Sequence, residues 1–393
     1  MMPPIYLDHN ATTPIDPRVL TVLTEAFRQT GNPSSLAHLP GRLARARLEA
    51  AAASVRESLG ASSGRVIWTS GATEANNLAI RGVVPDPAGL HVLCGATEHA
   101  SVLRPMGELG RRGALAERIA VARDGRLEVG RVLDRLQPRS RLLSVMLANN
   151  EIGVVHPVSA IAAAAREHCP ELIVHCDATQ ALAHLDVDVR ELGVDALSLS
   201  AHKVYGPVGI GVLWLREGLE VQPIQHGGGQ QGSTRPGTVP VALAVACAHA
   251  LALARRERAV EAARVARLRD HLWTGLQRQL PDVHLTGHAT HRLPGNLHVW
   301  FSGVDAGDLL EALPGLALST GAACRGEDRH PSHVIEALGL PERAFQSARF
   351  GLGRGTTEEE VDTAVSQVVA AVRRLRTLQP AVAIRWGTRT ATS

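Results

Sequence analysis

Ala196-Leu-Ser-Leu-Ser-Ala-His-Lys-Val-Tyr-Gly-Pro207 is the stretch that decides how this 393-residue chain is read. A short apolar run, 196–199, reads as a buried strand and ends in small and polar residues. A lysine follows. It is the only lysine among 41 basic residues, the rest being arginine. Arginine serves equally well as a surface cation, so codon drift could have removed the others without effect. What arginine cannot do is release its proton near neutral pH and attack a carbonyl; that is lysine chemistry. The one survivor, at the end of a strand, calls for a functional account.

Working outward, the same pattern recurs on the N-terminal side. Arg65–Thr69, His91–Cys94, Leu142–Leu147 and Leu172–Cys176 read as strands, and Gly209–Leu215 as a hairpin-like return. Helical patterns such as Glu74–Arg81, Ser101–Gly110 and Ser159–His168 lie between them. Strand–helix alternation at this spacing predicts an α/β domain built on a mostly parallel, doubly wound sheet. Near residue 255 the texture changes. Ala250–Gln279 reads as one long helix, followed by a strand at Asn296–Phe301, a helix at Ala306–Leu313, a loop at Ser319–Arg325 and a last helix from Thr357 to about Leu378. The expected organisation is a large α/β domain over 15–255 and a smaller α+β domain made of 1–14 and 256–393. The tail after Pro380 is expected to fray.

Composition narrows the function. Charged residues at 20% and hydrophobic ones at 45% are globular values, which argues against disorder. The net charge is +3, and the densest arginine runs, Arg255-Arg256-Glu257-Arg258 and Arg373-Arg374-Leu375-Arg376, sit among apolar residues at helical spacing. They read as solvated helix faces rather than a nucleic-acid patch, and aromatics at 3% leave little to stack on bases. Five cysteines, an odd number with no C-x-x-C pair, fit neither a disulfide framework nor a zinc site and point to a reducing compartment. The N-terminus shows no basic n-region, and the most apolar stretch, 239–254, falls short of the roughly 18 residues that span a bilayer. The expectation is a cytoplasmic protein that holds no metal and contacts neither membrane nor nucleic acid.

In open α/β sheets ligands bind beyond the carboxyl ends of the strands. Those ends carry Ser70-Gly71-Ala72-Thr73-Glu74, Glu98-His99, Asn149-Asn150-Glu151, Asp177-Ala178-Thr179-Gln180 and Ser200-Ala201-His202-Lys203. Polar and titratable groups converge on one edge, and each suits pyridoxal phosphate. Gly71 to Thr73 at a helix N-terminus offers N–H groups and a hydroxyl to a phosphate. Asp177 can pair with a protonated pyridine nitrogen and keep the ring an electron sink. His99 can stack on the ring or move protons, Ser200 and His202 can add phosphate donors, and Lys203 can bond the aldehyde.

A second feature lies outside that edge. Ser319-Thr-Gly-Ala-Ala-Cys-Arg-Gly-Glu327 sets Cys324 among small residues that leave its sulfur accessible, with Arg325 and Arg329 favouring thiolate. Cys94, Cys176 and Cys247 instead sit inside apolar runs and read as inert. Gly206-x-x-Gly209-x-Gly211 leads into a strand and so is no dinucleotide fingerprint. His284, His288 and His291 have metal-like spacing, but the neighbouring Pro294-Gly295 marks a surface loop.

These residues resemble the cysteine desulfurases, pyridoxal-phosphate enzymes with the class V aminotransferase fold, over nearly the whole chain. The matching motifs include Tyr6-Leu-Asp-His-Asn-Ala-Thr-Thr-Pro14, Thr69-Ser-Gly-Ala-Thr-Glu-Ala-Asn-Asn77, Asn149-Asn-Glu-Ile-Gly153, Asp177-Ala-Thr-Gln180, His202-Lys203 and Gly227-Gly-Gly-Gln230. The resemblance implies an aspartate-aminotransferase-like fold with a seven-stranded sheet. It implies that Lys203 holds the cofactor and His99 stacks on it, that Asp177 meets the ring nitrogen and Gln180 the phenolic oxygen. Ala72, Thr73, Ser200 and His202 would hold the phosphate, joined by Thr238 from the partner subunit of a homodimer. Asn150 and Arg349 would bind the substrate carboxylate, and arginine suits that bidentate task.

The reaction so implied takes free cysteine to alanine. Lys203 or His99 moves the Cα proton, and Cys324 accepts the sulfur as a persulfide for an acceptor protein, in iron–sulfur cluster assembly or thiolation. The family usually reads Gly-Ser-Ala-Cys-Thr-Ser where this chain has Gly321-Ala-Ala-Cys-Arg-Gly326, a form similar to selenocysteine lyases. Selenocysteine lyase and, behind it, a class V aminotransferase remain the rival activities.

Overall fold

A computed structural model describes residues 4–320, 322–323 and 330–378. The large sheet has seven strands: β1 Arg65–Thr69, β2 His91–Gly95, β3 Leu115–Ile119, β4 Ser140–Met146, β5 Ile173–Asp177, β6 Ala196–Ser200 and β7 Gly211–Leu215. Their spatial order is β1-β7-β6-β5-β4-β2-β3. Neighbours from β6 through β5, β4 and β2 to β3 are parallel, and only the pairs made by β7 are antiparallel. β2, β5, β6 and β7 are buried at every position, as expected of strands covered on both faces.

The sheet contains one strand that the sequence reading missed. β3, Leu-Ala-Glu-Arg-Ile, forms an edge and exposes Leu115, Ala116 and Arg118. An edge strand facing water needs no apolar run, and charge on it discourages pairing with another chain. The covering helices are α1 Pro17–Phe27, α2 Leu39–Ser58, α3 Ala72–Val83, α4 Ala100–Arg111, α5 Val158–His168 and the first half of α6 Val241–Gln279.

With 39 residues, α6 is about 60 Å long at 1.5 Å per residue. Its N-terminal half, Ala244 to Ala254, packs into the core of the large sheet. Its C-terminal half, Val265 to Leu276, belongs to a second core. That second core lines an antiparallel sheet of β8 Val283–Leu285, β9 Asn296–Phe301, β10 Ser319–Thr320 and β11 Ser347–Gly351, backed by α7 Glu358–Leu378. Ile5–Tyr6 pairs with Leu316–Ala317, and Leu7 is buried in the same core. The segment around His333–Ala337 behaves differently from its neighbours in sequence. Val334, Ile335, Leu338, Ala344 and Phe345 enter the core of the large sheet although their sequence position assigns them to the small domain. Ser332 Oγ donates to Glu151 (2.5 Å) and His333 Nε2 lies 2.8 Å from the Glu98 carbonyl, so the chain from residue 330 onward is anchored beside the strand ends.

The turn that presents Lys203 is built from residues distant in sequence. Ala201–Lys203 is a single 3₁₀ turn after β6. Thr13 N–H and Thr13 Oγ1 both donate to the His202 carbonyl (3.0 and 2.9 Å), and the same Oγ1 accepts from Tyr205 N–H at 2.8 Å. Tyr205 has φ 63°, a left-handed conformation that costs a non-glycine residue free energy unless its surroundings enforce it. Here Asp16 N–H donates to its carbonyl (2.9 Å), Arg354 N–H donates to its hydroxyl (2.7 Å) and the Arg354 guanidinium lies 4.4 Å from its ring centre. On the other side of the turn Gly211 is required by close approach, since a Cβ there would stand 2.6 Å from the Gly71 backbone.

Replacing Thr13 by valine keeps the shape and leaves the Tyr205 N–H without its acceptor. A loss of about 1–3 kcal/mol is expected, read as a lower urea midpoint at unchanged slope.

Candidate active site

A cavity of about 400 Å³ opens at the carboxyl ends of β1, β2, β4, β5 and β6. Ala72, Thr73, His99, Asn150, Asp177, Gln180, Ser200, His202 and Lys203, each singled out from the sequence, all line it. Lys203 Nζ donates to the carbonyls of Asn10 (2.7 Å) and Ala11 (2.5 Å). Burial, helped by the Arg349 charge, pulls its pKa down to about 8. Desolvation disfavours the charged amine, and that is the tuning a nucleophilic lysine needs.

Asp177 ends β5 and is almost fully buried. One oxygen accepts from Thr179 N–H at 3.0 Å, the other from Asn76 Nδ2 at 2.7 Å. Gln180 is held by two bonds to Asn10, its Nε2 on the Asn10 carbonyl (2.9 Å) and its Oε1 accepting from Asn10 Nδ2 (3.2 Å). His202 Nδ1 lies 3.0 Å from Thr12 Oγ1, and burial together with Lys203 lowers its pKa to about 4, so the ring is neutral at pH 7. His99 caps α4 and is likewise shifted toward the neutral form by burial.

Arg349, on β11, stands behind Asn150. Its Nη1 donates to the Asn150 carbonyl at 2.9 Å, and its Nη2 to Asp8 Oδ1 at 2.6 Å and Ser319 Oγ at 3.0 Å. Asp8 thus occupies one arm of the guanidinium expected to take a substrate carboxylate. Thr238 is exposed and does not line the cavity of its own chain. Cys324, with Arg325 and Arg329, lies outside the described residues, as does the tail after 380. A larger groove of about 720 Å³ lies at the opposite end of the strands, but its buried Asp195 is already bonded to Arg166 (2.8 Å) and Arg216 (2.6 Å). Those two arginines satisfy the Asp195 carboxylate. Among the described residues no cluster of three or more His, Cys, Asp or Glu is placed to hold a metal, and no helix is long and apolar enough to cross a membrane.

The class-V aminotransferase family model matches residues 5–364. A cysteine desulfurase IscS from Anaeromyxobacter dehalogenans is 43% identical over 383 residues, covering 96% of this chain and 94% of the relative. The chain belongs to the class-V aminotransferase family, in its cysteine desulfurase branch. Among solved structures, a NifS-like protein superposes with a TM-score of 0.88 at 31% identity, covering 94% of this chain and 100% of that one. SspA, solved in complex with cysteine, gives 0.77 at 29% identity, covering 89% and 99%.

The family's cofactor is pyridoxal phosphate, and the residues present fit it. The N-cap of α3 is Gly71, which provides no side-chain cap, so the first N–H groups of a 12-residue helix open onto the cavity. That is an anion site by geometry and dipole. Glu74, which would repel a phosphate, is instead tied to Arg235 Nε (2.7 Å) and to Ser70 N–H (2.6 Å). Thr179 Oγ1, beside Asp177, is buried without a partner. An anion pole, a fixed carboxylate and a partly neutral amine stand in one cavity, as a phosphate, a ring nitrogen and an aldehyde require.

Several contributors escaped the sequence reading as individuals. Asn76, Asn10, Asp8, Ser101 and Ser319 all hold site residues, yet none ends a strand. Asn76 left a trace: it is a polar residue on the buried face of α3, between Ala75 and Leu78.

The lowered pKa of Lys203 has a direct readout. In the cofactor-free protein its amine should react with an acylating reagent at half-maximal rate near pH 8, rising with pH, instead of near the ordinary value of about 10.4. Arg349→Gln removes a cation that opposes protonation, so the midpoint should move upward.

Proposed function

We propose that this protein is a pyridoxal-phosphate-dependent cysteine desulfurase that converts L-cysteine to L-alanine and transfers the sulfur to Cys324. The observation that carries the reading is the cavity that joins a half-buried, partly neutral Lys203 to the fixed Asp177 carboxylate and the open end of α3, in a chain 43% identical to a cysteine desulfurase.

When bound, pyridoxal phosphate supplies the electron sink that lets bonds at Cα and Cβ of an amino acid break. Ala72, Thr73, Ser200 and His202 would hold its phosphate, Asp177 would keep a proton on the ring nitrogen and Gln180 would meet the phenolic oxygen. Arg349 and Asn150 bind the substrate carboxylate, Asp8 yielding one guanidinium arm. Lys203, with its amine free, would be the base for the Cα proton. Cys324 thiolate attacks the substrate sulfur; an S–S bond forms as the C–S bond breaks, and the carbon keeps the electron pair and is protonated, giving alanine. The resulting persulfide serves a thiol-bearing acceptor protein, in iron–sulfur cluster assembly or thiolation. A homodimer in which Thr238 reaches the partner's cavity accounts for the exposed position of that residue. The four described cysteines are buried and free, which suits a reducing, cytoplasmic setting.

Selenocysteine lyase is the second reading, favoured by Gly321-Ala-Ala-Cys-Arg-Gly326. Alanine release from cysteine and selenocysteine, assayed side by side, decides between them: comparable or greater turnover of cysteine supports the desulfurase, and near-exclusive use of selenocysteine overturns it. Lys203→Arg should keep the charge yet abolish turnover together with the long-wavelength absorbance of the bound cofactor. Cys324→Ala should keep that absorbance and lose at least about a hundredfold in desulfuration, the lower end of the range for a positioned catalytic group; full turnover would favour an aminotransferase.

A further inference from the structure

His99 is connected to Asp177 by a chain of hydrogen bonds whose directions are set from two fixed points, the Asp177 carboxylate at one end and the Ser101 backbone N–H at the other. Asn76 Nδ2 lies 2.7 Å from Asp177 Oδ2 and 2.8 Å from Ser101 Oγ. The amide cannot be turned over, because its oxygen would then face a carboxylate oxygen at hydrogen-bond distance. Nδ2 therefore spends both hydrogens, one on Asp177 and one on Ser101. Ser101 Oγ accepts from Asn76, so its own hydrogen is free to donate, and 2.8 Å away stands His99 Nδ1. Nδ1 also faces Ser101 N–H at 3.1 Å. The backbone N–H can only donate, so Nδ1 carries a lone pair, and the free Ser101 hydrogen completes the pair of donors that converge on it.

We propose that Ser101, oriented by Asn76, is a positioning residue that holds His99 as a neutral imidazole with its hydrogen on Nε2. His99 then meets the reacting molecule as a hydrogen-bond donor, and proton abstraction falls to Lys203. Adding a proton at Nδ1 would set two N–H groups against each other and force the Ser101 hydroxyl to turn away. The wider surroundings agree. Burial is the largest influence and favours the neutral ring; Lys203 and His333 also oppose its charge, and Asp177 alone favours it. A neutral histidine with no lone pair toward the substrate makes a poor base and a good polarising donor.

The inference rests on the desulfurase reading for the reaction that His99 serves, but the state of the ring is measurable without turnover. Long-range ¹H–¹⁵N spectra of the full chain labelled at histidine, with and without pyridoxal phosphate, report which ring nitrogen carries hydrogen, and His99→Gln assigns the signal. The expected result at pH 7.5 is an Nε2–H tautomer in both states. Hydrogen on Nδ1, or on both nitrogens, overturns the proposal even if cysteine is turned over normally. In Ser101→Ala the ring should become easier to protonate. Its titration and the acid limb of the kcat profile should move to higher pH, with kcat down about five- to tenfold, as for one lost hydrogen bond, and KM within about twofold. Ser101→Thr should restore both. Unchanged His99 signals in Ser101→Ala would equally sink the idea. A correct tautomer in a protein that releases no alanine from cysteine would instead count against the proposed reaction.

Discussion

Thr13 Oγ1 donates to one backbone group of the Lys203 turn and accepts from another, and the active-site arrangement depends on that pair of bonds. A 3₁₀ turn of three residues has no stability of its own. Without Thr13, nothing on β6 obliges the chain to double back through a left-handed Tyr205. The same N-terminal segment supplies the Asn10 and Ala11 carbonyls to the lysine, the Asn10 side chain to Gln180 and the Asp8 carboxylate to Arg349. Residues 8–16 are therefore a strap across the cavity, joining groups that the large sheet and the small sheet present separately.

Electrostatics in the cavity follow from desolvation more than from pairing. The amine of Lys203 and the rings of His99 and His202 are all pushed toward neutrality by burial. Asp177, by contrast, has both oxygens fixed by N–H donors, an arrangement that suits a carboxylate. A site whose bases are shifted toward neutrality and whose one anion is anchored suits a cationic ring nitrogen and an anionic phosphate at opposite ends. Arg349 is the exception, a cation kept beside the cavity and balanced by Asp8.

What was legible in the sequence is what strands announce locally. A run such as Ile173–Asp177 states its burial in its own composition, and the polar residue at its end is placed by the sheet, so the cavity lining followed from listing strand ends. Three kinds of feature were not local. β3 has no apolar signature because it faces water. The first turns of α6, 241–249, are alanine-rich and buried on most sides, so no helical stripe marks where the helix begins, and the reading started it at 250. Bonds such as Asn76 to Ser101 or Thr13 to Tyr205 join residues 25 to 192 positions apart, and no periodicity records them.

The solitary lysine has an analytical consequence. Apart from the chain's own amino terminus, the protein carries a single primary amine, and that amine lines the cavity, half-buried and with lowered basicity. Amine-directed chemistry, usually a blunt tool on protein surfaces, becomes here a footprint of one position. Whatever occupies the cavity, whether a cofactor or an inhibitor that displaces one, would be read as protection of one peptide, with no lysine elsewhere on the surface to obscure it.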